Sequence, residues 1–323
     1  MTTTDRSVAA AARADVEVLT FPSGTGQCAA EHHRAQTDNL RTAAGVPYVV
    51  MAHGFGATVD SGLSSFARTF AAAGIGVLAF DYRGWGRSDG DPRRVVDVES
   101  QVADFRAALR AVRARADADP ERLVAWGCSL AGGHIFRVAA EEPLLAAAIA
   151  VTPAVDGPAA LGNIVRRDGV HALGSVAPAL RDVVAAKRGR RPVTIPIVGE
   201  PGATAVITAP GAFAQYQAIA GPTWNNSVAA RSMLGLARYR PGRLASRIRC
   251  PLLVQIADRD TISPVEPIRA AARRAPRSEV RHYPGDHFDV YPGCAHHDAV
   301  TAHQVAFLRR HLNPRQNNLG EVS

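Results

Sequence analysis

An α/β fold, with a mostly parallel sheet covered by helices on both faces and one long insertion, follows from three features of this 323-residue chain. Short apolar runs recur at 48–52, 77–80, 123–126, 147–151 and 252–256, the pattern of strands buried on both sides. Helical spacing fills the intervals, as at 98–115, where Val98, Val102, Phe105, Leu109 and Val112 would share a face. From about 153 to 249 this rhythm stops, and it resumes at Pro251-Leu252-Leu253-Val254. With 47% hydrophobic residues the chain can bury a sizeable core.

Taken in order, 16–21 and 28–33 predict an opening antiparallel hairpin, and the runs above supply the parallel strands. Near the end, 267–274 predicts a helix and 280–283 a further strand. The chain then divides into a first core part (1–152), an inserted cap (153–249), a second core part (250–312) and a flexible tail (313–323). The cap is expected over the carboxyl ends of the strands, where α/β sheets bind ligands. It holds basic, Gly- and Pro-containing stretches such as Lys187-Arg188-Gly189-Arg190-Arg191-Pro192, and Asn226-Ser227 reads as the N-cap of a helix over 228–237.

The formal charge is +8, carried almost wholly by arginine, since Lys187 is the only lysine. These arginines are scattered among alanines and form no stripe interleaved with aromatics, so no nucleic-acid partner is expected. No segment approaches the roughly 20 apolar residues that cross a bilayer, and 1–15 carries Arg6 and Arg13 in place of an apolar signal core. A cytoplasmic protein without a membrane partner is the expectation. Cys28, Cys128, Cys250 and Cys294 lie far apart without CxxC spacing, which fits reduced thiols. The pairs His32-His33 and His296-His297 would point their rings in different directions, so no metal is expected.

Chemistry concentrates at Gly127-Cys128-Ser129-Leu130-Ala131, between the strand 123–126 and Gly132-Gly133. A serine with small residues two positions away on each side, between strand and helix, is the layout of a nucleophile elbow. The turn is so tight that larger flanking side chains would clash. Centring the elbow on Cys128 would flank it with Trp126 and Leu130, so Ser129 is the candidate nucleophile. A serine hydroxyl needs a histidine to take its proton and a carboxylate to hold that histidine. Asp258 and Asp260 follow the strand 252–256, and His287 follows the strand 280–283. Asp286 and Asp289 are too near His287 in sequence to hold its ring from behind. The glycine-rich turn His53-Gly54-Phe55-Gly56 would offer the Phe55 N–H to a developing oxyanion, and the helix after Ser129 would offer that of Leu130.

With these residues the chain resembles the α/β-hydrolase superfamily over nearly its whole length. The resemblance rests on His53-Gly54-Phe55-Gly56, Asp81-Tyr82-Arg83-Gly84-Trp85-Gly86-Arg87-Ser88, the elbow, Asp260 followed by Pro264, and Gly285-Asp286-His287-Phe288. More narrowly, Trp126 to His134 is similar to the bacterial branch that groups esterases with dipeptidyl-peptidase-like and dienelactone-hydrolase-like proteins. The proline four residues after the acid is a family feature and selects Asp260 over Asp258. What the resemblance implies is a serine hydrolase with the triad Ser129, His287 and Asp260, no cofactor, and a small-molecule acyl substrate. Carboxylic esters lead. Thioesters of CoA or a carrier come next, because of Arg166-Arg167 and the basic run at 187–191, and then peptides. A non-enzymatic binding protein of this fold would lack a triad member, and none is missing. Asp81 and Arg83 are read as turn-fixing, His53 as turn-stabilising and His134 as packing. Tyr216 and Trp224 are candidates to line an acyl pocket, the other reading being the internal core of the cap.

Overall fold

The computed structural model describes residues 16–313, apart from the side chains of Val170 and Leu173. The two ends of the chain, including most of the expected flexible tail and the leader reading of 1–15, lie outside the described residues. Among the described residues eight strands form one sheet: β1 (Val16–Ser23), β2 (Gly26–His33), β3 (Val46–Ala52), β4 (Gly76–Phe80), β5 (Ala118–Cys128), β6 (Ala147–Val151), β9 (Leu252–Ala257) and β10 (Ser278–Tyr283). Their spatial order is β1-β2-β4-β3-β5-β6-β9-β10. The β1–β2 hairpin lies antiparallel at one edge, and from β4 onward every pairing is parallel, with Val49 opposite both Val77 and Val124. Strands β3, β4, β6 and β9 are buried at every position, which is why their sequences are apolar runs, broken in β9 only by Gln255, whose amide donates to the Tyr283 hydroxyl at 2.7 Å and the Val300 carbonyl at 3.0 Å.

Helices α1 (Leu63–Ala72), α2 (Val98–Arg113), α3 (Leu130–Glu141), α8 (Val265–Arg274) and α9 (His297–Leu312) accompany the sheet. Helix α2 opens on Asp97, whose carboxylate accepts the Ser100 N–H at 2.8 Å, and it buries Val102, Phe105, Leu109 and Val112 as their spacing predicts. Phe66 of α1 meets Trp126 of β5 with ring centroids 5.0 Å apart, and Phe105 of α2 meets Phe80 of β4 edge to face at 5.6 Å.

Between β6 and β9 the chain adds no strand to the sheet. It forms α4 (Gly157–Asp168), a 3-10 stretch (Gly169–Ser175), α5 (Val176–Lys187), β7 (Thr194–Ile195), α6 (Ala212–Ile219), β8 (Val228–Ala229), α7 (Ser232–Leu236) and a second 3-10 stretch (Pro241–Arg247). The helix expected over 228–237 is therefore corrected. Val228-Ala229 pairs antiparallel with Thr194-Ile195, and only Ser232–Leu236 is helical. Asn226 does not cap it, because its side chain is spent on both backbone groups of Val198, accepting at 3.0 Å and donating at 2.9 Å. Val228 is fully buried in the two-stranded ribbon, where a β-branched side chain packs well.

Among the described residues no helix is long and apolar enough to cross a membrane, and all four cysteines are unpaired. The paired histidines sit in separate surroundings. His32 contacts the Tyr48 hydroxyl at 2.9 Å while His33 Nε2 lies 3.9 Å from Glu31, and His297 contacts the Ser65 hydroxyl at 2.8 Å while the His296 ring lies 6.1 Å from that of Tyr283.

Candidate active site

Strand β5 delivers Ser129 to the carboxyl end of the sheet, and α3 begins at the next residue. Ser129 adopts φ 54° and ψ −117°, a conformation L-residues rarely occupy. Backbone bonds on both sides fix it: its N–H donates to the Val151 carbonyl at 2.9 Å, and its own carbonyl accepts from Gly133 at 3.0 Å and Ala154 at 2.9 Å. The small neighbours are a steric necessity. A Cβ on Gly127 would come within 2.5 Å of the Ala131 carbonyl group, and one on Gly132 within 3.0 Å of Pro153.

His287 lies between the acid and the serine. Its Nδ1 is 2.7 Å from Oδ2 of Asp260, and its Nε2 is 3.1 Å from Oγ of Ser129. The other oxygen of Asp260 accepts the backbone N–H groups of Ile262 at 2.8 Å and Ser263 at 2.6 Å, so the carboxylate cannot swing away. Asp258 points elsewhere, toward Arg269 at 3.1 Å and His282 at 2.6 Å, in a more exposed position. Asp286 braces the assembly through the backbone. It accepts the N–H groups of Thr261 at 2.8 Å and His287 at 2.7 Å, tying the acid loop to the histidine loop. Burial alone would push the His287 imidazole down; the charge and hydrogen bond of Asp260, helped by Asp286, outweigh it and hold its pKa above the usual value.

The glycine-rich turn after β3 packs directly on Ser129, since a Cβ on Gly54 would lie 3.0 Å from its Cβ. Phe55 and Leu130 border the same cavity as Ser129, and among the described residues neither N–H donates to a protein acceptor. Two free donors beside a serine form a polar recess for an oxygen. Cys128 is buried in the strand, and burial pushes its thiol up to about 11, leaving it protonated at neutral pH.

The serine opens onto a cavity of about 310 Å³. Its wall is mostly apolar, with Ala160, Leu161 and Ile164 of α4, Val176 of α5 and Met233 and Leu234 of α7. Tyr216 and Trp224 do not line it, which corrects the expectation. They pack on each other with centroids 5.3 Å apart, and Tyr216 donates its hydroxyl to the Phe55 carbonyl at 2.6 Å. Large aromatics sit there because the underside of the excursion must bury against the core. The true lining was visible only as apolar residues at helical spacing, Leu161 with Ile164 and Val176 with Ala179, in a stretch whose glycines and prolines mask its helices.

The remaining motif residues are structural. Asp81 accepts the N–H groups of Val59 at 2.7 Å and Arg87 at 3.0 Å, and Arg83 pairs with Asp104 at 2.5 Å. His53 is buried against Tyr82. His134 contacts the Tyr239 hydroxyl at 2.9 Å and Gln101 at 3.0 Å, and burial pushes it down to about 3, so it stays neutral.

The sheet order, the strained serine between strand and helix, and the cavity at the strand ends are those of an α/β hydrolase. The chain belongs to the serine aminopeptidase S33 family of that class, whose family model matches residues 46–297. It is 37% identical over 292 residues to the quorum-quenching protein AidA of Acinetobacter baumannii, covering 90% of this chain and 93% of that protein. It is 27% identical over 283 residues to a polyketide transferase of Aspergillus fumigatus, covering 83% of this chain and 90% of the relative. Among solved structures, the α/β hydrolase GrgF from a Penicillium species superposes with a TM-score of 0.75 at 20% identity, covering 92% of this chain and 99% of the other, a likeness of fold. The protein is an enzyme, a hydrolase of this class.

Proposed function

We propose that this protein cleaves carboxylic esters of apolar acyl chains through an acyl-enzyme, with Ser129 as nucleophile, His287 as general base and acid, and Asp260 holding the imidazole. The observation that carries the reading is the unbroken relay from Asp260 through His287 to Ser129, at 2.7 and 3.1 Å, opening on an apolar cavity. His287 Nε2 takes the hydroxyl proton as Oγ bonds to the carbonyl carbon, and the carbonyl oxygen becomes an anion facing the Phe55 and Leu130 N–H groups. Each such donor is worth about 3 kcal/mol in the transition state. The alkoxide leaves with the proton from His287. Water then repeats the sequence on the acyl-enzyme, releasing the acid and restoring Ser129.

Residues 153–249 act in this reading as a cap that selects the acyl group. An aminopeptidase substrate would present a free amine in need of a carboxylate. The carboxylates bordering the cavity are committed: Asp156 caps α4 and pairs with Arg240 at 2.9 Å, and Asp168 pairs with Arg167 at 2.7 Å. The polyketide transferase among the relatives carries an extended acyl chain in its name, and that supports a chain-binding cavity and keeps thioesters as the second reading. The four unpaired cysteines fit a reducing, cytoplasmic setting.

The experiment is labelling with a fluorophosphonate, followed by a panel of p-nitrophenyl esters, acyl-CoA thioesters and aminoacyl anilides. Ser129→Ala should lose both labelling and turnover, Cys128→Ser should keep both, and the esters should lead. Inactivation by iodoacetamide without fluorophosphonate labelling, or a lead for anilides, overturns the proposal.

A further inference from the structure

Helix α5 is apolar on its outer side. Val176, Leu180 and Val184 recur every fourth residue and are 49%, 58% and 44% exposed, whereas Ala179 and Asp182 on the opposite side are buried. A surface helix normally shows the reverse. Leu161 and Val165 of α4 and Leu234 of α7 extend the patch, so that it holds six of the eight exposed large apolar side chains among the described residues. Leu161, Val176 and Leu234 also line the cavity that leads to Ser129, which makes the patch the rim of that cavity.

Cations frame this rim. The stripe of α5 runs into Lys187, followed by Arg188, Arg190 and Arg191, with Arg166 and Arg181 at its sides; all six are exposed, and none is ion-paired among the described residues. The carboxylates in the same stretch are neutralised locally, Asp168 by Arg167 at 2.7 Å and Asp182 by Arg231 at 2.8 Å.

We propose that this face docks on an anionic lipid surface, its apolar stripe at the acyl boundary and its cations at the headgroup phosphates, and that apolar substrate enters the cavity from the lipid side. Basic residues around an exposed Leu and Val stripe are the combination that holds a helix in the plane of a membrane interface. A second copy fits the face poorly. A two-fold contact would bring the same six cations against one another, and their repulsion would oppose the apolar gain. Docking of this face departs from the sequence expectation of no membrane partner, which rests on the absence of a spanning segment and so bears only on crossing the bilayer. The entry of substrate rests on the ester-hydrolase reading, while the docking does not.

The test uses the full chain with vesicles of phosphatidylcholine, with and without phosphatidylglycerol, read by co-sedimentation. Binding should be at least about tenfold tighter to the anionic vesicles and weaken in high salt. Two double variants, Leu180→Glu with Val184→Glu and Arg188→Glu with Arg190→Glu, change side chains that do not line the cavity. Each should lose at least about tenfold in vesicle binding and keep turnover of a soluble short-chain p-nitrophenyl ester within about twofold. The lead of wild type over the variants should appear only on a long-chain ester dissolved in anionic vesicles. Equal binding to both kinds of vesicle, or binding that both variants retain, overturns the proposal. So does a wild-type dimer in analytical ultracentrifugation that Leu180→Glu with Val184→Glu converts to monomer, which would assign the face to self-association. Vesicle binding without ester turnover by the wild type would leave the docking standing and remove the ester-hydrolase reading.

Discussion

Asp258 and Asp260 stand two residues apart after β9 and do different work. Asp260 holds His287 while two backbone N–H groups hold Asp260; Asp258 serves Arg269 and His282. An amide at position 260 keeps the shape but favours the wrong imidazole tautomer, so Asp260→Asn should cost at least about 10²-fold in kcat and Asp258→Asn less than about tenfold. The pH profile separates this effect from simple damage. In the proposed mechanism turnover needs neutral His287, whose pKa Asp260 raises against burial, so the acid limb of kcat/KM in the wild type should lie above the usual histidine value. Removing the charge leaves burial dominant, and the limb of any residual activity should shift to lower pH. An acid limb that stays in place would show that Asp260 does not set this titration. Tyr216 follows from its own geometry. Because its hydroxyl fixes the Phe55 carbonyl, Tyr216→Phe should lower kcat about tenfold for every ester alike, with KM little changed. A change confined to the ranking of chain lengths would return Tyr216 to substrate selection.

At the scale of elements, the elbow is the place where sequence and structure agree most closely. Gly127, Ser129 and Ala131 announce a turn that tolerates only small flanks, and in the structure a Cβ on Gly127 would meet the backbone of Ala131 at 2.5 Å. Gly127→Ala should therefore destabilise the fold by about 1–3 kcal/mol, read as a lower urea midpoint, and should slow turnover by displacing Ser129. Unchanged stability and rate would mean that the turn has slack. The strands were equally legible, because β3, β4, β6 and β9 are buried on both faces and, apart from the hydrogen-bonded Gln255, are apolar runs. The excursion between β6 and β9 was not. Helix α4 buries no residue fully, α5 turns its apolar stripe outward, and the hydrogen bonds of Asn226 belong to Val198 rather than to a helix start. Reading patterns there assumes that apolar means inward, and at the rim of a cavity that assumption fails. Tyr216 and Trp224 misled for the complementary reason: their size marks burial, and burial in an excursion serves its seat on the core before any ligand.

Across the whole molecule, the sheet is closed at its amino-terminal end by a single buried cation far from the serine. Arg122 of β5 pairs with Asp119 at 2.7 Å and donates to the carbonyls of Leu40 at 2.7 Å, Gly45 at 3.0 Å and Leu312 at 3.0 Å. It thereby joins the approach to β3, the start of β5 and the end of α9, three segments distant in sequence. Both members of the pair are nearly inaccessible, with side chains 7% and 9% exposed, so neither charge can turn to water when its partner is removed. Arg122→Ala would take the cation from the Asp119 carboxylate, which keeps the Glu121 N–H and the Thr42 hydroxyl, and a donor from each of the three carbonyls. It should destabilise the protein by about 3–5 kcal/mol, the usual cost of breaking a buried pair from one side. Arg122→Ala with Asp119→Ala should recover part of that loss, because no charge is then left alone. The proposed triad sits at the opposite end of the strands, so fluorophosphonate labelling per folded molecule should stay within about twofold of wild type in both variants. Urea unfolding and labelling on the same samples check the two halves together. A double variant less stable than Arg122→Ala would show that the stranded charge is not the source of the cost, and a parallel fall in labelling would mean that the clamp and the serine are coupled through β5.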